Sequence, residues 1–289
     1  MKHVLLLGLA VVLSGCAVVP QDREMDGPLL DPGLREFTAQ LPGDYSTVLT
    51  RSQRLEGKRP LLMNIETQPG SGPDRVDFVM TQLDGDHSPR LFVLSMQASD
   101  DPQHPEGLFA PLDAAGQARR QCAVNISVRR DGFTASTNPQ TCRFGDDQQA
   151  TGLLKEIAFD GNQLVIGDRL VNLSTGEPIA TDQIHAFSRV RRFQGWAGRL
   201  EGESWHRSAP FEVHSGDDQV KLIDAAGMSL GLAVNLHRHD PGQGQDHMLR
   251  LTVTDSDSGQ LIAQSWADPD AEALGIALPS LQVGLQLTD

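Results

Sequence analysis

Several groups of residues in this chain have types and spacings that could do chemistry. Gly227-Met228-Ser229-Leu230-Gly231 has the G-x-S-x-G spacing of a nucleophile elbow, and Asp240 and His247 follow in the order used by α/β-hydrolases. That motif works on a strand-to-helix turn that exposes the serine oxygen. Here an alternating strand pattern, Leu230 to Leu236, follows instead, so no hydrolase chemistry is expected. His237 and His239 fall on one side of the same strand, with His247 across a loop, and neutral imidazoles so placed can bind zinc or copper. An isolated H-x-H on the face opposite Leu236 reads more simply as solvated histidines, and no metal site is expected. Asp255-Ser256-Asp257-Ser258-Gly259 opens like a calcium loop, but the twelfth position is Trp266 instead of a bidentate Glu, so it reads as a turn.

The cysteines carry a different chemistry. Lys2 and His3 precede an apolar run, Val4 to Leu13, that is about half the ~20 residues a membrane-spanning helix needs. It reads as the core of a signal peptide over residues 1–15. Leu13-Ser14-Gly15-Cys16 follows directly and resembles the bacterial lipobox, which implies lipidation of Cys16 and a mature N-terminus held in membrane lipid without spanning the bilayer. Residue 17 is Ala, not Asp, which by resemblance to envelope sorting favours the outer membrane, facing the periplasm. Residues 16–31, with Pro20, Gly27 and Pro28, form a tether. Cys122 and Cys142 bracket a hairpin signal in a chain destined for an oxidising compartment, so a disulfide is expected. A reactive or metal-binding pair is the alternative, but neither cysteine has a nearby His or a CxxC partner.

Composition narrows the classes. Asp and Glu exceed Lys and Arg by 38 to 24, a net charge of −14, so a nucleic-acid partner is not expected. With ten Phe, three Trp and one Tyr, aromatic stacking platforms for bases or sugars are poorly supplied.

The positioning elements are mostly strands. Asp31-Pro32 sets an N-cap and first helical residue, Leu34, Phe37 and Leu41 share one face, and Pro42-Gly43 ends the helix. Beyond it the period is two. Val76, Phe78 and Met80 alternate with Asp77 and Val79, and Cys122, Val124, Ile126 and Val128 alternate with Ala123, Asn125, Ser127 and Arg129. Asp131-Gly132 and Asp160-Gly161 mark hairpins between such runs. Leu108 to Gln121 is the weakest part of the pattern and is expected to be a loop with a helical turn. After Val190-Arg191-Arg192, about six further strands, including Leu230 to Leu236, Leu249 to Val253 and Leu281 to Leu287, predict a small sandwich over residues 192–289.

Residues 34–189 resemble the CpcT/CpeT chromophore lyases. The two-cysteine hairpin Cys122 to Cys142, then Asp168-Arg169, Ser174-Thr175-Gly176 and Phe187-Ser188-Arg189, together with Leu41-Pro42-Gly43-Asp44-Tyr45 and Gln53 upstream, follow the family's order and spacing. The resemblance implies a lipocalin-like (calycin) antiparallel β-barrel over residues 32–191 that binds a linear tetrapyrrole non-covalently and transfers it to a phycobiliprotein cysteine. It also implies pocket roles for Tyr45, Gln53, Asp168 and Arg169, the last two as a carboxylate and guanidinium for pyrrole nitrogens and propionates. The fold expected is therefore all-β, a barrel followed by a sandwich. Two departures matter: the family acts in the cytosol, whereas this chain carries an export signal, and the second β domain is additional. A barrel that binds a hydrophobic or amphipathic small molecule, without assigned catalytic residues, is the leading expectation. An envelope adaptor that docks a protein partner is the alternative.

Overall fold

The computed structural model describes residues 32–50, 52–53, 56, 58–69, 73–85, 87–118, 120–144, 151–239 and 247–288. Cys16, the signal peptide, the tether and Asp240 lie outside them. The described chain opens with helix α1 (Pro32–Gln40), whose apolar stripe of Leu34 and Phe37, continued by Leu41, is buried.

Eleven strands follow in the N-terminal unit: β1 (Gly43–Thr47), β2 (Leu61–Pro69), β3 (Arg75–Asp84), β4 (Arg90–Gln97), β5 (Glu106–Leu112), β6 (Cys122–Arg129), β7 (Gly132–Thr137), β8 (Arg143–Phe144), β9 (Thr151–Phe159), β10 (Gln163–Asn172) and β11 (Gln183–Val190). Each of β1 to β6 pairs with the next strand, β7 pairs with β9, β9 with β10, β10 with β11, and β11 returns to β1. The result is a closed ten-stranded antiparallel barrel, with β8 attached, among the described residues, to β9 alone.

Because side chains alternate across a strand, every second residue points inward. Val76, Phe78 and Met80 of β3 meet Leu94 and Met96 of β4, Val124 and Ile126 of β6, Ile157 and Phe159 of β9, and Phe187 of β11 in one buried cluster. The turn at Gly161, with φ of +93°, joins β9 to β10. Cys122 and Cys142 form the expected disulfide, with their Cα atoms 5.0 Å apart.

One expectation is corrected. Glu106–Leu112, placed partly in a loop by its sequence, is the full strand β5 between β4 and β6. Its Ala and Pro content hides it, but pairing on both sides overrides weak local preference. The ladder to β6 stops at Phe109, two residues before Pro111, which has no N–H to donate.

A single residue, Arg191, separates β11 from β12 (Arg192–Glu201), the first strand of the second unit. That unit adds β13 (Ser204–Arg207), β14 (Phe211–His214), β15 (Gly216–Ile223), β16 (Ser229–His239), β17 (Met248–Asp255), β18 (Leu261–Ala267), β19 (Ala273–Leu278) and β20 (Leu281–Leu287). One sheet places β12 between β20 and the successive strands β13 and β14, with β19 outermost; the other runs β15-β16-β17-β18. Phe193, Val213, Val283 and Leu285 of the first sheet pack against Leu232, Leu236, Leu249 and Leu251 of the second, which makes a sandwich.

The two units are clamped together. Arg192 grips the Asp44 carboxylate with Nη2 to Oδ1 at 2.6 Å and Nε to Oδ2 at 3.0 Å, while Asn64 donates to Oδ1 at 2.9 Å. Ser46 donates to the carbonyl of Gly216 at 3.2 Å. Gly216 sits so close to β1 that a Cβ there would lie 2.4 Å from that of Ser46, so only glycine permits this approach.

Candidate functional site

The two ends of the barrel differ. At one end α1 lies across the opening, with Phe37 edge-on to Phe133 at a centroid distance of 5.4 Å. The Tyr45 hydroxyl donates to the carbonyl of Leu41 at 2.6 Å, and Arg189 donates from Nη1 to the Pro42 carbonyl at 2.8 Å and from Nη2 to the Gln40 carbonyl and to the Tyr45 hydroxyl. The last carbonyls of a helix lack partners within it. Here one tyrosine and one arginine supply them and seal this end.

The other end holds the candidate site. Lys155 of β9 and Asp168 of β10 are direct cross-strand partners, and Nζ reaches both carboxylate oxygens at 2.8 and 3.1 Å. Only 6% of the lysine side chain is exposed, against 39% for Asp168. Its ammonium lies 4.8 Å from the ring centre of Phe109 and 5.1 Å from that of Phe92, two rings stacked on one another at 5.6 Å. Burial pushes the Lys155 amine below the ordinary lysine value, opposed by the charge and hydrogen bond of Asp168. Arg90, Gln82, Gln183 and His185 ring the opening. The hollow they enclose has a volume of about 20 Å³, close to the space of one water.

The residues singled out by the resemblance do not converge on one pocket. Asp168 lines the mouth, but Arg169, one residue on, points outward and forms an exposed ion pair with Asp182 at 2.5 to 3.0 Å. A period of two separates neighbours on a strand, so this carboxylate and guanidinium cannot grip one ligand. Tyr45 is sealed into the opposite end. Gln53 lies in the β1–β2 connection, where its Oε1 accepts from the backbone N–H and hydroxyl of Thr50. Asn172 caps the turn through Ser174 and Thr175, and Gly176 has φ of +74° there.

Lys155 stands out in the sequence by its position. It occupies the inward phase that Ile157 and Phe159 continue, where a charge is costly. The other candidate motifs resolve as turns and surface. Ser229 opens β16, its hydroxyl accepts from the Gly231 N–H at 3.1 Å, and no helix follows. Asp255 accepts from the backbone N–H groups of Asp257 and Ser258 and from the Ser258 hydroxyl. The His237 and His239 rings sit 6.2 Å apart, with Trp266 5.2 Å from the latter.

In comparisons with known proteins, no family model and no curated relative matches the chain.

Proposed function

We propose that this protein is a lipid-tethered envelope protein that works by binding, with its barrel serving as a packed scaffold. The observation that carries the reading is the filled interior. Sites for drug-sized ligands run from ~300 Å³ upward, whereas the mouth encloses about 20 Å³. A linear tetrapyrrole would have to displace Phe92, Phe109 and Lys155 together, so the lyase chemistry implied by the resemblance is not the reading this geometry favours. The tether is Cys16, acylated after removal of residues 1–15, with the protein on the periplasmic side of the outer membrane.

Native mass spectrometry of the full chain purified from its host tests the reading. A co-purifying macromolecule supports it, and a stoichiometric small molecule held in the barrel overturns it.

A second reading rests on Lys155. A buried ammonium is expensive to keep, and such groups cluster at functional sites. A small anionic head group at the mouth would take the place of Asp168 on Nζ. Biliverdin titration followed by visible absorption tests the tetrapyrrole form of this reading. No spectral change is expected, and a saturable change lost in Lys155→Met would favour the barrel ligand.

A further inference from the structure

The outer face of the sandwich sheet built on β12 carries two of the three tryptophans in the chain. Trp196 is 54% exposed and Trp205 is 43% exposed. Both indoles rest on glycine. A Cβ on Gly284, the cross-strand partner of Trp196, would lie 2.5 to 3.0 Å from its Nε1, Cε2 and Cζ2 atoms. A Cβ on Gly198 would lie 3.2 Å from Cε3 of Trp205. Each ring therefore has backbone behind one face and solvent before the other. Gly198 is two residues from Trp196 on β12, so the two rings cover neighbouring positions of the sheet and line one groove of about 600 Å³.

The groove has a polar complement suited to hydroxyls. Gln282, paired with Gly198, and Ser208 lie beside the rings, and Gln194 and Gln286, paired with each other, occupy the next row of the same face. Among the described residues, Arg207, opposite Gly198 on β13, is the one charged residue lining the groove, while the exposed Glu212, paired with Gln194, lies farther along the same face.

We propose that this face binds an acidic oligosaccharide. The C–H faces of successive pyranose rings stack on Trp196 and Trp205, their hydroxyl and acetamido groups bond to the glutamine amides, and an anionic substituent meets Arg207. Apolar ring faces alone would suit any flat hydrophobic group. Amides and one guanidinium around two exposed indoles match a ligand that alternates C–H faces with hydroxyls and carries negative charge. Large exposed aromatics grouped on one face of a soluble domain mark a binding surface. Nucleic acid, which also stacks on aromatics, carries a phosphate at every nucleotide, and the groove lining offers a single cation to meet them. The inference goes beyond the reading of the barrel and stands without it.

Isothermal titration calorimetry on the full chain, with two matched probes, tests it. One is the tetrasaccharide of alternating N-acetylglucosamine and N-acetylmuramic acid, which carries carboxylates; the other is neutral chitotetraose. The acidic probe is expected to bind more tightly. Trp196→Ala and Trp205→Ala should each weaken both probes about tenfold or more, the scale of losing one stacking platform. Arg207→Gln should bring the acidic probe down to the affinity of the neutral one. Thermal unfolding of each variant at the wild-type temperature shows that the sheet is intact. Binding of neither probe overturns the proposal, as does binding that both tryptophan variants leave unchanged. A dimer in sedimentation velocity that Trp196→Ala dissolves, or preferential binding of a proline-rich peptide, would reassign the face to a second copy or to a peptide.

Discussion

Arg189 donates to the Tyr45 hydroxyl at 2.7 Å, with its guanidinium 4.9 Å from the centre of the same ring. First and last strands of the barrel are thereby joined at the end that α1 covers. Burial pushes the Tyr45 phenol up to about 12, reinforced by the Asp44 charge and only partly offset by Arg189.

Tyr45 is the one tyrosine in the chain, so its titration can be followed directly by ultraviolet absorption. The folded pKa lies above the ordinary value of ~10. The stability it contributes is therefore complete below ~10 and is lost as pH rises through about 12. Tyrosinate is expected near pH 12, or together with unfolding. A transition near 10 with far-ultraviolet dichroism unchanged would contradict the sealed end.

The mouth pair is expected to respond asymmetrically. Lys155→Met exchanges a buried ammonium for an apolar side chain of similar length and leaves the carboxylate of Asp168, 39% exposed, to water, so little change in stability is expected. Asp168→Asn leaves the ammonium without its counter-charge. Because Asp168 is 39% exposed, water screens part of that loss, and about 1–2 kcal/mol is expected, below the figure for a fully buried pair. Urea denaturation should show Asp168→Asn as the least stable of the three proteins, with Lys155→Met close to wild type.

The clamp between the two units should resist acid. Burial alone would raise the Asp44 carboxyl, but hydrogen bonds from Arg192 and Asn64, and the Arg192 charge, hold it below the usual carboxylate value. Its stabilisation is present above the unfolded pKa of ~3.9 and is lost as pH falls through the lower folded value. Calorimetry at pH 5 should show one coupled transition for the wild type. Asp44→Ala should separate it into a barrel transition and a sandwich transition at that pH.

The disulfide closes a loop with a sequence separation of 20, which in the chain-entropy model is about 3 kcal/mol. For a unit of this size, Cys122→Ser with Cys142→Ser should lower Tm by about 6–12 °C. In the Asp44→Ala background, where the two transitions separate, only the barrel transition should move.

The barrel and sandwich were legible because their information is periodic. Phe78 and Met80, or Leu232 and Val234, declare an inward phase that survives without knowledge of the partner strand. The site was less legible because it depends on phase and on pairing together. Asp168 and Arg169 read as a unit in the sequence, yet successive residues of one strand face opposite sides. Lys155 is thirteen residues from Asp168 and meets it only through the β9–β10 register. The sandwich face shows the same limit. A count of aromatics says that platforms are scarce, but only the pairing of β12 with β13 and β20 places Trp196 and Trp205 together over glycines. The nine strands after residue 191 exceed the six expected because edge strands such as β18, exposed at alternate positions, carry little apolar pattern.

The β9–β10 ladder that closes the ring has one further effect. A ring of strands has no border, so its backbone amides are already spoken for, whereas both sheets of the sandwich end in open margins at β13, β15, β18 and β19. Among the described residues the barrel unit offers only the two-residue margin of β8, so growth of this protein into fibres, or a partner that joins by adding a strand, finds its longer edges in the C-terminal half.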